Sequence, residues 1–185
     1  MFNERKVAQM AAFFLQQTPT GQMSHLKLMK LLYLAEREGL RCLGYSLTGD
    51  RWVSMPHGPV LSMTLNLMDG DMESGRDGWE SWVSDKADHE LSLRRAVTPE
   101  AFDELSPAEC DVLEAIWQQF GGLDKWTIRD WTHVHCAEWH DPLGSSMPIT
   151  PRVLVDALGF APEVAQELVA RLESDQVVDR LFAGM

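Results

Sequence analysis

The stretch from Ser24 to Leu43 constrains this fold more than any other part of the chain. At about 100° per residue, Lys27, Lys30, Arg37 and Arg41 share one narrow stripe of a helix. Leu28, Leu32, Ala35 and Leu43 lie on one side of that stripe, and Met29, Tyr33 and Leu40 on the other. So small a polar arc predicts a central helix packed on nearly every side. Ser24 is placed to cap it and Gly44 to end it. Glu36 breaks the pattern by pointing into the apolar arc. A carboxylate there needs partners. It is expected to be tied to Arg51, to His57, or to N–H groups at the start of a following helix, pinning the long helix to that region. The alternative is a helix that ends early and leaves Glu36 in water.

The other elements follow from shorter patterns. Val7, Met10, Ala11 and Phe14 recur at helical spacing after Asn3, and Thr18 to Gly21 ends that helix. Leu47 to Asp50 reads as a turn and Arg51 to Met55 as a short strand. His57-Gly58-Pro59 predicts a third helix with proline at its first position, continued by Val60, Met63, Thr64 and Leu67. Residues 70–78 are a Gly- and Asp-rich loop. Trp79 to Ser84 and His89 to Arg95 read as two strands, with Leu91 and Leu93 alternating against polar neighbours. Together with Arg51 to Met55 they are expected to form one small sheet.

A second helical group follows. Ser106-Pro-Ala-Glu109 is a capping box. The helix behind it buries Val112, Leu113, Ile116, Trp117 and Phe120 and stops at Gly121-Gly122. Thr127 to Asp130 predicts the start of a short helix through Trp131. Thr150-Pro151 opens a helix ending near Gly159, and Ala161 to Ser174 forms one more. The fold class is mainly α with a small inserted antiparallel β-sheet. It is a single compact domain over residues 1–185, with a core at 3–140 and C-terminal helices at 150–182.

Charge narrows the classes of function. The net charge is −12. Residues 1–69 hold 7 Lys/Arg against 5 Asp/Glu, and the remainder 9 against 23, so the excess lies in the last two-thirds. Such a surface repels a phosphate backbone. It suits a basic protein partner, or simply solubility. The Lys27, Lys30, Arg37, Arg41 stripe is a candidate nucleic-acid contact, but a helix surrounded by core cannot enter a groove. Cys42, Cys110 and Cys136 are odd in number and contain no Cys-x-x-Cys, which fits a reducing cytoplasm. No signal-like pattern opens the chain, and no apolar run reaches the roughly 20 residues of a membrane span.

Chemistry-bearing motifs are few. His133, His135, Cys136, Glu138 and His140 are of the right types for zinc, yet their spacing matches no His-Glu-x-x-His or paired-Cys frame. No nucleophile elbow and no phosphate-binding glycine loop occurs. The sequence therefore predicts no enzyme, cofactor or metal.

The ordered set of Ser24 to Glu36, Gly49-Asp-Arg-Trp-Val53 and His57-Gly-Pro-Val60 resembles the core of the Panacea domain, or SocA-like antitoxin family. Thr132-His133 with Trp139 adds a weaker echo. The resemblance is strongest over about residues 24–69. It implies a phage-associated antitoxin that neutralises a cognate toxin by direct stoichiometric binding. The alternatives it carries are a proteolytic adaptor for a toxin and a DNA-binding regulator. It also implies structural polar roles for His133 and Trp139, beside the one read for Glu36 from its place on the helix. The corner Asp50, Arg51, Trp52, His57, Gly58 and Pro59 reads either as the partner-binding surface or as a plain helix cap. Gly58 permits close approach, and Trp52 and Arg51 are types that anchor interfaces.

Overall fold

The computed structural model describes residues 1–98 and 101–183, with side chains to residue 178. Helix α1 (Glu4–Gln16) begins where Asn3 accepts a hydrogen bond from Lys6 N, and it buries Val7, Met10, Ala11 and Phe14 completely. A short strand β1 (Gln22–Ser24) leads directly into α2 (His25–Leu43), which ends on Gly44 in the left-handed conformation. Ser24 is thus the last residue of a strand, and its side chain makes no cap bond. Helix α2 is central as expected. Leu28, Leu31, Leu32, Tyr33, Ala35 and Leu40 are fully buried. Each leucine removed from water contributes about 1.5–3 kcal/mol.

The hairpin that follows corrects the sequence reading. Strands β2 (Trp52–Met55) and β3 (Gly58–Leu61) pair antiparallel, with Trp52 opposite Leu61 and Met55 opposite Gly58. Gly58-Pro59 therefore lies in a strand and does not open a helix. Proline is tolerated there because β3 is the edge of a three-stranded sheet ordered β3-β2-β5. Helix α3 (Ser62–Asp69) starts three residues later than expected. Asp50, from before β2, caps it: Oδ1 accepts from Met63 N at 2.9 Å and Oδ2 from Thr64 N at 2.8 Å and Thr64 Oγ1 at 2.6 Å.

The expected single sheet is two sheets. Trp79–Ser81 is a 3-10 turn, and β4 (Glu90–Ser92) pairs with β1, not with β2. Val83 and Leu93 form only an isolated bridge. The third strand on the hairpin is β5 (Met147–Pro148), with Val53 opposite Pro148.

Helix α4 (Pro107–Phe120) carries the full capping box of Ser106 and Glu109. Helix α5 (Lys125–His135) starts earlier than read, because Asp124 accepts from both Trp126 N and Thr127 N and makes the stronger cap. Thr150 caps α6 (Pro151–Leu158), Gly159 ends it, and α7 (Pro162–Ala183) packs back on it. Helix α2 lies against α1, α3, α4, α5, β1 and β3. The result is one mainly helical domain with seven helices and small antiparallel sheets among the described residues. Among these residues no helix is long and apolar enough to cross a membrane.

Candidate functional site

The β2–β3 hairpin has two faces, and the residues singled out from the sequence divide between them. The inner face meets α2 and α5. Gly58 sits here at φ 90°, a conformation that favours glycine. A Cβ on it would fall 2.8 Å from Thr132 Oγ1, 3.0 Å from Lys30 Nζ and 3.2 Å from His133 Cδ2. The hairpin can therefore approach α5 only as glycine. Lys30 is completely buried and donates to Pro59 O at 2.6 Å. Burial pushes its pKa down to about 7, with the nearby Arg129 adding to the fall and Cys136 opposing it.

Behind Lys30 is a second buried set. Glu138 Oε1 accepts from Tyr33 OH and from Arg37 Nε, each at 2.8 Å. Cys136 is buried beside it, and burial first, then the Glu138 charge, push its thiol up to about 12. His133 stacks on Trp139 with ring centres 4.0 Å apart and planes 2° from parallel. Burial first, then Lys30 and Arg129, lower the His133 pKa and favour the neutral ring. Trp139 Nε1 donates to Met55 O at 2.9 Å, which ties this stack to the hairpin. Two buried atoms, His133 Nε2 and Glu138 Oε2, have no hydrogen-bond partner among the described residues.

The five zinc-type residues do not converge. Cys136 and Glu138 point into the core, His135 stacks on Trp131, and His140 N donates to Ser54 Oγ. Among the described residues no group of three or more His, Cys, Asp or Glu is arranged to hold a metal ion.

Glu36 is buried and tied, but not to the partners expected. Its carboxylate accepts from Ser46 Oγ, from Thr48 N at 3.0 Å and from Thr48 Oγ1 at 3.0 Å. Neither Arg51 nor His57 reaches it. The loop holding Ser46 and Thr48 lies this close because Gly39 has no side chain. A Cβ there would fall 2.5 Å from Leu47 Cγ. Burial outweighs the three donors and pushes the Glu36 pKa up to about 7.

The basic stripe is not a free face. Lys27 donates to Gly121 O, Lys30 is buried, Arg37 pairs with Glu138, and Arg41 pairs with Glu38. No row of cations remains to follow a phosphate backbone.

The outer face of the hairpin is different. Of the six corner residues, Asp50, Trp52, Gly58 and Pro59 are buried, while Arg51 and His57 are exposed. Next to Arg51 opens a cleft of about 690 Å³ between the N-terminus, β2, the start of α3 and residues 148–151. A smaller one of about 250 Å³ adjoins it, and Trp52 borders both. Trp52 Nε1 is buried without a hydrogen-bond partner among the described residues. An unpaired buried donor costs about 1–3 kcal/mol. Sequence reading found Arg51 and Trp52 but not the cleft, whose other walls lie about 50 residues before and 100 residues after them.

The family model described as antitoxin SocA-like, Panacea domain matches residues 28–140, which span α2, the hairpin, α4 and α5. No curated protein and no solved structure matches the chain.

Proposed function

Because this chain belongs to the SocA-like antitoxin family defined by the Panacea domain, we propose that it neutralises a cognate toxin by direct, stoichiometric protein contact. It acts in the cytoplasm and without catalysis. The family match over the hairpin and its supporting helices carries this reading. The chemistry of the corner supports binding over turnover. Lys30, Cys136 and Glu138 are buried and committed to the fold, so no substrate reaches them. The net charge of −12 suits a basic toxin, since complementary fields speed encounter. The exposed Arg51 and His57 are the corner residues that reach such a partner.

The test is coexpression of the adjacent gene with and without this chain in a bacterial host. The expected result is a neighbour that arrests growth alone, growth restored by this chain, and a near-equimolar complex on copurification. A harmless neighbour that never binds overturns the reading. Rescue in which the toxin disappears only while a host protease is active replaces neutralisation by binding with a proteolytic adaptor.

A further inference from the structure

We propose that the cleft beside Arg51 is the dock for the toxin, and that it takes an apolar side chain flanked by a carboxylate. This rests on the antitoxin reading and names the surface and chemistry of that contact. Three observations converge on it. The first is size and lining. At about 690 Å³ the cleft is in the range of built binding pockets. Phe2, Val53, Met63, Pro148, Ile149 and Pro151 make its walls mainly apolar. The second is charge. The Arg51 side chain is exposed at the rim and makes no hydrogen bond or ion pair among the described residues. Arg5, Arg37, Arg41, Arg129 and Arg152 are all paired with carboxylates. A guanidinium left uncommitted in so acidic a chain is matched by a carboxylate from outside, held by two parallel hydrogen bonds. The third is the wall itself. Trp52 borders both this cleft and its smaller neighbour while packed in the core, so it gives the cleft a rigid floor.

The cleft also has a mixed origin. Residues 49–53 and 62–63 lie inside the family match, whereas Met1, Phe2 and residues 148–151 lie outside it. A dock built this way joins the hairpin inside the family match to segments outside it, which is where partner choice can be set. The overall negative charge governs encounter with a basic toxin, and the single Arg51–carboxylate pair fixes register.

Two arms test the proposal on the full-length chain. In the first, three terminally blocked hexapeptides, identical except for Phe-Asp, Phe-Lys or Ser-Asp at the centre, are titrated into isotope-labelled protein. The Phe-Asp peptide is expected to shift the amides of Arg51, Val53 and Ile149 and to bind at least fivefold tighter than the other two. Ser62→Phe should abolish the shifts. Ser62 lines the cleft and its side chain makes no hydrogen bond among the described residues, so the new ring fills the space without removing a tie. In the second arm, the toxin from the adjacent gene is titrated against Arg51→Glu and Ser62→Phe. Each should weaken binding at least tenfold while thermal stability stays at the wild-type value. Should Ser62→Phe unfold the chain, Arg51→Glu still decides. Toxin bound equally by wild type and Arg51→Glu removes the cleft from the interface and leaves the antitoxin reading standing. Peptide shifts that are absent, or equal for all three peptides, overturn the stated chemistry. A concentration-dependent dimer that Ser62→Phe dissolves assigns the cleft to a second copy of the chain and overturns the toxin as occupant. A toxin that wild type never binds removes both readings.

Discussion

The two faces of the β2–β3 hairpin are built on opposite terms. On the inner face the hairpin carbonyls and hydroxyl have partners from elsewhere in the chain. Pro59 O takes Lys30, Met55 O takes Trp139, and Ser54 Oγ takes His140 N. On the outer face the Arg51 side chain makes no hydrogen bond or ion pair among the described residues, and it stands beside an open cleft. The residues that make the inner face recognisable hold the fold together. The exposed guanidinium of Arg51, still able to pair with something, lies on the other side of the same two strands. A motif and an interface can therefore share a hairpin without sharing a side chain.

The contrast breaks most readily at Glu138. Its side chain is fully buried, and that of Arg37 is only 17 % exposed. Glu138→Ala leaves Arg37 and the Tyr33 hydroxyl without their acceptor, and breaking such a pair costs about 3–5 kcal/mol. Urea denaturation should show a loss of that size. A loss below about 1 kcal/mol would mean the inner face is not held by its polar ties.

Glu36 sharpens the contrast through pH. Its folded pKa, about 7, lies above the ordinary 4.5, so the folded state holds the proton more tightly than the unfolded chain. Its stabilising contribution is fully present below about pH 4.5 and is lost as pH rises through about 7. A shift of that size corresponds to roughly 3 kcal/mol. Wild type minus Glu36→Gln, measured by urea denaturation from pH 4.5 to 8, should fall by about that amount. A flat difference would show that the Ser46 and Thr48 donors fully offset burial. Gly58→Ala tests the close approach directly. The strained φ and the clash with Thr132 Oγ1 should together cost roughly 2–3 kcal/mol.

These residues also show what was legible in the sequence. Helices α1, α4 and α6 were readable because their caps, Asn3, Ser106 and Thr150, are adjacent in the chain to what they cap. Helix α3 was misplaced because its cap, Asp50, comes from before the hairpin, and because proline in an edge strand looks like proline at a helix start. The sheets were merged because β1 meets β4 across about seventy residues, which no local pattern records. The burial of Glu36 followed from its place on the apolar arc of α2. Its partners did not, since they depend on Gly39 admitting a loop. The Arg37–Glu138 pair was invisible because one carboxylate among 28 Asp and Glu carries no signal.

The smallest expected effect is the most discriminating, because two tryptophans flank the same hairpin. Trp52 is 3 % exposed and its Nε1 is unpaired among the described residues, whereas Trp139 is half-buried and its Nε1 donates to Met55 O. Replacing each with phenylalanine removes the same N–H and the same slice of ring. If packing alone counted, Trp52→Phe would cost more, since more of its surface is buried. Polar accounting gives the opposite order. Trp52→Phe deletes an unpaired donor, which offsets the lost contacts and leaves stability within about 0.5 kcal/mol of wild type. Trp139→Phe loses a made hydrogen bond and weakens the stack on His133, for about 1–2 kcal/mol. Paired urea melts of the two variants decide between these orders. If Trp52→Phe is the more destabilised, packing outweighs polar accounting at this hairpin, and the contrast between the faces rests on Arg51 and the cleft.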